Sequence, residues 1–174
     1  GKSVIGLPGY PVSAYLAFQK FVSPVIAALS GRKQKESGGT IKAVLFKRLV
    51  SSLKYEEYVR VRVGKVGERF VCAPLARGAG AAMSLVRADG FCVIPQNREG
   101  YEAGEIVNVE LYKDPETLAN TLVSVGSHDL IIDLIGDRMA AYYPGMGLSG
   151  THVGSLGGLM ALKRGETTLA PTHL

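Results

Sequence analysis

The side chains able to do chemistry are few and unevenly placed. All three histidines, His128, His152 and His173, fall in the last third of the chain. Two of them stand beside Gly-Ser pairs, in Gly126-Ser127-His128 and His152-Val153-Gly154-Ser155. A Gly-Ser pair at a helix start offers free N–H groups, a hydroxyl and the positive end of the helix dipole to an anion. The same serines could equally be ordinary N-caps. Ser127, His128, Thr151, Gly154 and Ser155 are the candidate oxyanion group. No Lys or Arg occurs between Arg138 and Lys163, so neutral donors would do the binding. That suits a compact dianion better than a general phosphate trap. The two cysteines, Cys72 and Cys92, lie in apolar strand-like runs without a CxxC or a nearby His pair. They read as buried reduced thiols of a cytoplasmic protein, and their spacing argues against a zinc site. Gly1-Lys2-Ser3 lacks the upstream glycine of a phosphate-binding loop, and Gly78-Ala79-Gly80 lacks the third glycine of a dinucleotide fingerprint. HExxH, GxSxG and EF-hand patterns are absent.

The elements that must position these groups follow from patterning. With 47% hydrophobic and 20% charged residues in 174, the chain is globular, of one or two domains. The longest apolar run is far short of the ~20 residues of a membrane span, which rules out a transmembrane protein, and no opening stretch reads as a secretion signal. Residues 1–87 carry 15 Lys/Arg against 4 Asp/Glu, and residues 88–174 carry 5 against 11. The basic half suits a phosphate-bearing partner, or simply a solvated surface.

Tyr15, Phe18, Val22, Val25 and Leu29 recur at helical spacing, with Pro11 at the first helical position and Pro24 where a kink is expected. Residues 32–39 read as a polar linker. From about 40 to 114 the chain reads as β throughout. Tyr58–Val63 and Ile106–Leu111 alternate strictly, which places Arg60 and Arg62 on one face and Val59, Val61 and Val63 on the other. Short strands with Gly-rich turns suggest a small, mainly antiparallel β-barrel. From 115 to 174 the texture becomes α/β: a strand over 122–126, helices opening near Ser127 and Gly154, and a further strand near Thr168. The expected class is mixed α and β. A kinked helix with its linker (1–39) comes first, then a small barrel (40–114), then a partial α/β unit (115–174).

Gly6-Leu7-Pro8-Gly9-Tyr10-Pro11-Val12-Ser13-Ala14 resembles the GLPGNPVSA motif of the molybdopterin molybdotransferases, the family of MoeA and the gephyrin E-domain. Ala73-Pro74-Leu75, Gly78-Ala79-Gly80, Ala88-Asp89-Gly90-Phe91 and Glu102-Ala103-Gly104-Glu105 are similar to that family's C-terminal β-barrel. Residues 125–129 and 151–162 resemble the periplasmic-binding-protein-like domain that follows the barrel in some microbial members.

The resemblance implies a transferase that inserts molybdate, or tungstate, into adenylylated molybdopterin with Mg2+ and releases AMP, working as a homodimer. It implies that most catalytic carboxylates and lysines lie upstream of Gly1, so this chain alone is expected to be inactive. By position, Pro8, Pro11 and Ser13 match the rim of the active site. Gly9, Tyr10, Arg60, Arg77, Gly78, Ala79 and Gly80 match its substrate-binding surroundings, with Arg60 and the 77–80 loop expected on one barrel face. Two positions depart from the pattern. Tyr10 stands where Asn would cap the helix, a loss of about 1 kcal/mol, but it can stack on a planar ring. Ala79 stands in place of a Ser hydroxyl. The rival readings are a small-oxyanion or small-ligand binding module without catalysis, and nucleic-acid binding by the basic barrel. The last lacks interleaved aromatic platforms.

Overall fold

The computed structural model describes residues 2–32, 38–75 and 81–173. They fall into two compact units, each taken by itself.

The first unit is helical. α1 (Pro11–Ala17) and α2 (Ser23–Leu29) are joined by a π turn over Phe18–Val22. Pro11 occupies the first turn, where a missing N–H leaves nothing unsatisfied. Tyr10 holds the N-cap position in extended backbone and gives no side-chain cap. Pro24 explains the π turn. It has no N–H to continue the i→i−4 ladder, so the helix widens ahead of it, with the Ser23 N–H donating to the Phe18 carbonyl, and restarts. α3 (Ala81–Arg87) belongs to this unit. It corrects the expectation of β structure throughout 40–114: Ala81-Ala82-Met83 and Leu85 are good helix formers.

No residue of α1 or α2 is buried. Phe18, Val22, Ile26 and Leu29 with Ile5 and Leu7 line an apolar groove of about 610 Å³. Pro11–Leu29 is also the one helical run among the described residues long and apolar enough to cross a membrane by length and composition, with a mean hydropathy of 1.4. It departs from the expectation that no stretch is long enough for a span: Ser13, Gln19, Lys20 and Ser23 interrupt its apolar residues, and only the helix taken whole reaches that length.

The second unit joins a barrel to an α/β segment. β1 (Thr40–Leu45), β3 (Glu57–Val66), β4 (Arg69–Pro74), β5 (Gly90–Ile94) and β7 (Ile106–Leu111) close in the order β1-β4-β3-β5-β7. All pairings are antiparallel except β1 with β4. β2 (Leu49–Val50) and β6 (Gly100–Tyr101) form a short separate ribbon. The alternation in β3 works as expected. Val59, Val61 and Val63 enter the core with Leu45, Cys72, Cys92 and Val109, while Arg60 and Arg62 stand on the other face. α4 (Pro115–Ala119) is capped by Asp114, whose carboxylate accepts from the Glu116 N–H at 2.9 Å, and it buries Leu118 in the same core.

In the α/β segment β8 (Thr121–Gly126) and β9 (Gly147–His152) pair in parallel across α5 (Leu130–Tyr142). After α6 (Gly154–Lys163) the chain returns along the other side of β8, with a parallel bridge from Ser124 to Leu169. The strand order is therefore β9, β8, then residues near 169, with the order reversing at β8. A second core of Phe46, Val71, Val123, Val125 and Ala161 seals this segment to the barrel wall. Gly64 makes the approach possible, because a Cβ there would collide with the Val123 side chain.

Candidate functional site

Three groups of residues carry the functional expectations. The first is the rim motif in the helical unit. Pro8, Gly9, Tyr10, Pro11 and Ser13 are all exposed, and Tyr10 is the most open of the large ones at 81%. Its ring has no capping duty and is available to a planar ligand.

The second group is basic and lies on the barrel. Arg60 is buried, 8% exposed, in the outer face of β3 opposite Phe91. Around it Phe91 contacts Tyr58 edge-on at 6.2 Å and Tyr112 at 5.7 Å. Arg62 reaches toward the α/β segment, donating from Nη2 to the Leu148 carbonyl at 3.0 Å. Its Nε is buried without a partner among the described residues. Arg77, Gly78, Ala79 and Gly80 lie outside the described residues, so the expected shared face of Arg60 and Arg77 does too.

The third group lies at the carboxyl edge of the parallel strands. In an open α/β sheet this edge, at the reversal of strand order, is where ligands bind. The register that pairs Gly126 with His152 places the loops after β8 and β9 side by side. Ser127 Oγ and Ser155 Oγ are 2.7 Å apart and hydrogen-bonded. Ser155 Oγ also donates to the His173 carbonyl and accepts from the His173 N–H, both at 3.3 Å. Each hydroxyl has one proton to give. With Ser155 donating to His173 and Ser127 to Ser155, both are engaged, so an oxyanion would have to displace the residue 173 backbone.

The serines are not the caps they resembled. The cap of α5 is Asp129, whose carboxylate accepts from the Ile131 N–H at 2.9 Å, and the helix starts at Leu130. α6 has Val153 at its N-cap and no side-chain cap. Ser127 sits too early, still pairing its backbone N–H with the Pro171 carbonyl. The third extended segment, not a helix, takes that bond.

His152 was missed by the sequence reading, which chose Thr151 beside it. The His152 ring lies against that of His128, centroids 4.2 Å apart and tilted by 59°. The two residues are 24 positions apart, and only the β8–β9 register brings them together. Partial desolvation pushes the His152 imidazole below its ordinary value, the charge of His128 adds to this, and Asp133 opposes it. No group of three or more His, Cys, Asp or Glu able to hold a metal ion occurs among the described residues. The oxygen-rich shell that Mg2+ requires is thus not supplied by them.

Comparison with known proteins agrees with the barrel. Residues 42–112 match the family described as the MoeA C-terminal region (domain IV). A protein of Methanocaldococcus jannaschii named for molybdopterin biosynthesis is 34% identical over 112 residues, 64% of this chain and 25% of its own length. The molybdopterin molybdenumtransferase of Haemophilus influenzae is 31% identical over 107 residues, 60% of this chain and 26% of its own. The crystal structure of a molybdopterin biosynthesis MoeA protein from Pyrococcus horikoshii superposes with a TM-score of 0.50 at 30% identity. It covers 60% of this chain and 26% of that one. The chain thus spans about a quarter of the length of these relatives. The matched segment holds the alternating strands of β3 and β7, the Asp89-Gly90 turn and the closed five-strand order, so over residues 42–112 the chain is similar in both sequence and fold to the MoeA C-terminal region (domain IV).

Proposed function

We propose that this chain is the C-terminal part of a molybdenum cofactor biosynthesis enzyme that inserts molybdate, or tungstate, into adenylylated molybdopterin. The observation that carries the reading is the closed barrel of residues 42–112, matched in sequence to the MoeA C-terminal region. The exposed Pro8–Ser13 motif supports it. Two prolines stiffen the turn ahead of α1, and Tyr10 projects into solvent where it can stack on a pterin or adenine ring. In this role the chain contributes the rim of the site and the barrel, within a cytoplasmic homodimer. Binding and orientation are its share of catalysis, and molybdate is substrate rather than resident cofactor. The α/β segment is an added module whose carboxyl edge faces small ligands.

The test is AMP release from adenylylated molybdopterin with molybdate and Mg2+. Residues 1–174 alone are expected to give none, and a version extended upstream to the length of the relatives is expected to turn over. Tyr10→Ala in the extended version should raise KM with little change in kcat, because stacking holds ground state and transition state alike. Turnover by residues 1–174, or none by the extended version, overturns the proposal.

A further inference from the structure

We infer that the carboxyl edge of the α/β segment binds a late first-row divalent cation through the imidazoles of His128 and His152. The ring centroids lie 4.2 Å apart at a tilt of 59°. With metal–nitrogen bonds of about 2.0–2.1 Å, a small rotation of the two exposed side chains would turn a nitrogen of each ring onto a single ion. Both residues are exposed, so the ion has a path in.

The pair is held by structure on either side. The β8–β9 register sets His152 beside Gly126, and the Ser127–Ser155 hydrogen bond ties together the two loops that carry the rings. Local charge favours a cation over the anion suggested by the helix starts. Between Ser127 and Leu162 the chain has Asp129, Asp133 and Asp137 against Arg138 alone. Asp133 is close enough for its charge to act on His152.

Imidazole selects zinc, nickel or copper over magnesium or calcium. No third His, Cys, Asp or Glu joins the pair among the described residues. Water therefore completes the shell, and the site is open and exchangeable rather than a structural zinc centre. This inference stands apart from the enzymatic proposal, since the α/β segment lies outside the family match at 42–112.

The test is calorimetric titration of the 174-residue chain with Ni2+ in a non-chelating buffer, with pulsed electron paramagnetic resonance of the Cu2+ form. One saturable equivalent is expected. It should weaken at least tenfold in His128→Ala and in His152→Ala and be unchanged in His173→Ala, with the far-ultraviolet circular dichroism of each variant intact. The Cu2+ spectrum should count two coordinated imidazoles in the unsubstituted chain and one in each of the first two variants. Absence of saturable binding, or affinity kept in both variants, overturns the inference. The count on the unsubstituted chain decides the matter even where a variant fails to fold, and fewer than two imidazoles overturns it.

Discussion

Asp89 is a carboxylate only 3% exposed in a barrel built of valine, leucine and isoleucine. Its Oδ2 accepts from the Val63 N–H at 2.8 Å and its Oδ1 from Lys113 Nζ at 2.5 Å. It thus satisfies a backbone donor of β3 and ties it to the chain after β7. Asp89→Ala leaves that buried N–H unpaired and should lose about 2–3 kcal/mol in urea unfolding. Asp89→Asn keeps an acceptor for Val63 and should lose less than half as much, and equal losses would contradict this account. The thiols give a second prediction. Burial raises both, Cys72 beyond the usual range and Cys92 to about 11, from an ordinary value of 9.0. The folded chain therefore holds protons that the unfolded chain releases first. The contribution is fully present below about pH 9 and is lost as pH rises toward 11. Tm should be level from pH 7 to 8.5 and fall from 9 to 11, with a shallower fall in Cys92→Ala. Both thiols should resist disulfide reagents at pH 8 until the chain is unfolded.

Elements with a strong internal period were legible, and those made by their neighbours were not. Tyr58–Val63 and Ile106–Leu111 alternate because one side of each strand fills the barrel, so pattern alone marks them. β9 reads Gly-Leu-Ser-Gly-Thr-His, with no alternation and little β propensity. It is a strand because β8 offers it a ladder. The His128–His152 pair was hidden for the same reason, whereas the meeting of Ser127 and Ser155 was foreseeable from two openings on one sheet edge. α3 is only seven residues long and lies between two strands, too short for a helical period to mark it. The helices give a prediction of their own. A Cβ at Gly158 would meet the Val125 carbonyl and the Gly126 Cα, so α6 seats directly on the backbone of β8. Gly158→Ala must push the helix away and should destabilise by about 1–3 kcal/mol. Gly136→Ala in α5 meets only the Leu148 side chain, at 3.3 Å. There the gain in helix propensity, about 1 kcal/mol, offsets the crowding, and thermal unfolding should stay near that of the parent chain.

At the scale of the molecule, the barrel and the α/β segment share a core although the sequence changes texture between them at residue 115. Val123 and Val125 of β8 and Ala161 of α6 pack on Phe46 and Val71 of the barrel wall, and Arg62 binds the Leu148 carbonyl across the same junction. The segment has only two full strands and leaves Leu130, Ile131, Leu134 and Leu156 more than half exposed, so its own burial is thin. Its order is therefore borrowed from the barrel, and the two should unfold together. Val123→Asp puts a charge into the shared core, where the Arg62 guanidinium lining the same gap offsets part of the desolvation cost without removing it, and should detach the segment while sparing the barrel, whose core is a separate cluster. Limited proteolysis of this variant should cut within residues 115–174 and leave a resistant barrel, and its calorimetric trace should split into two transitions. A single transition lowered as a whole would mean that the barrel depends on the segment as much as the segment depends on the barrel. The coupling also bears on the carboxyl edge, because β8 both packs on the barrel wall and leads directly into Ser127 and His128. A histidine pair positioned by a strand seated on the barrel is held by the barrel, so Val123→Asp should abolish cation binding without touching either imidazole.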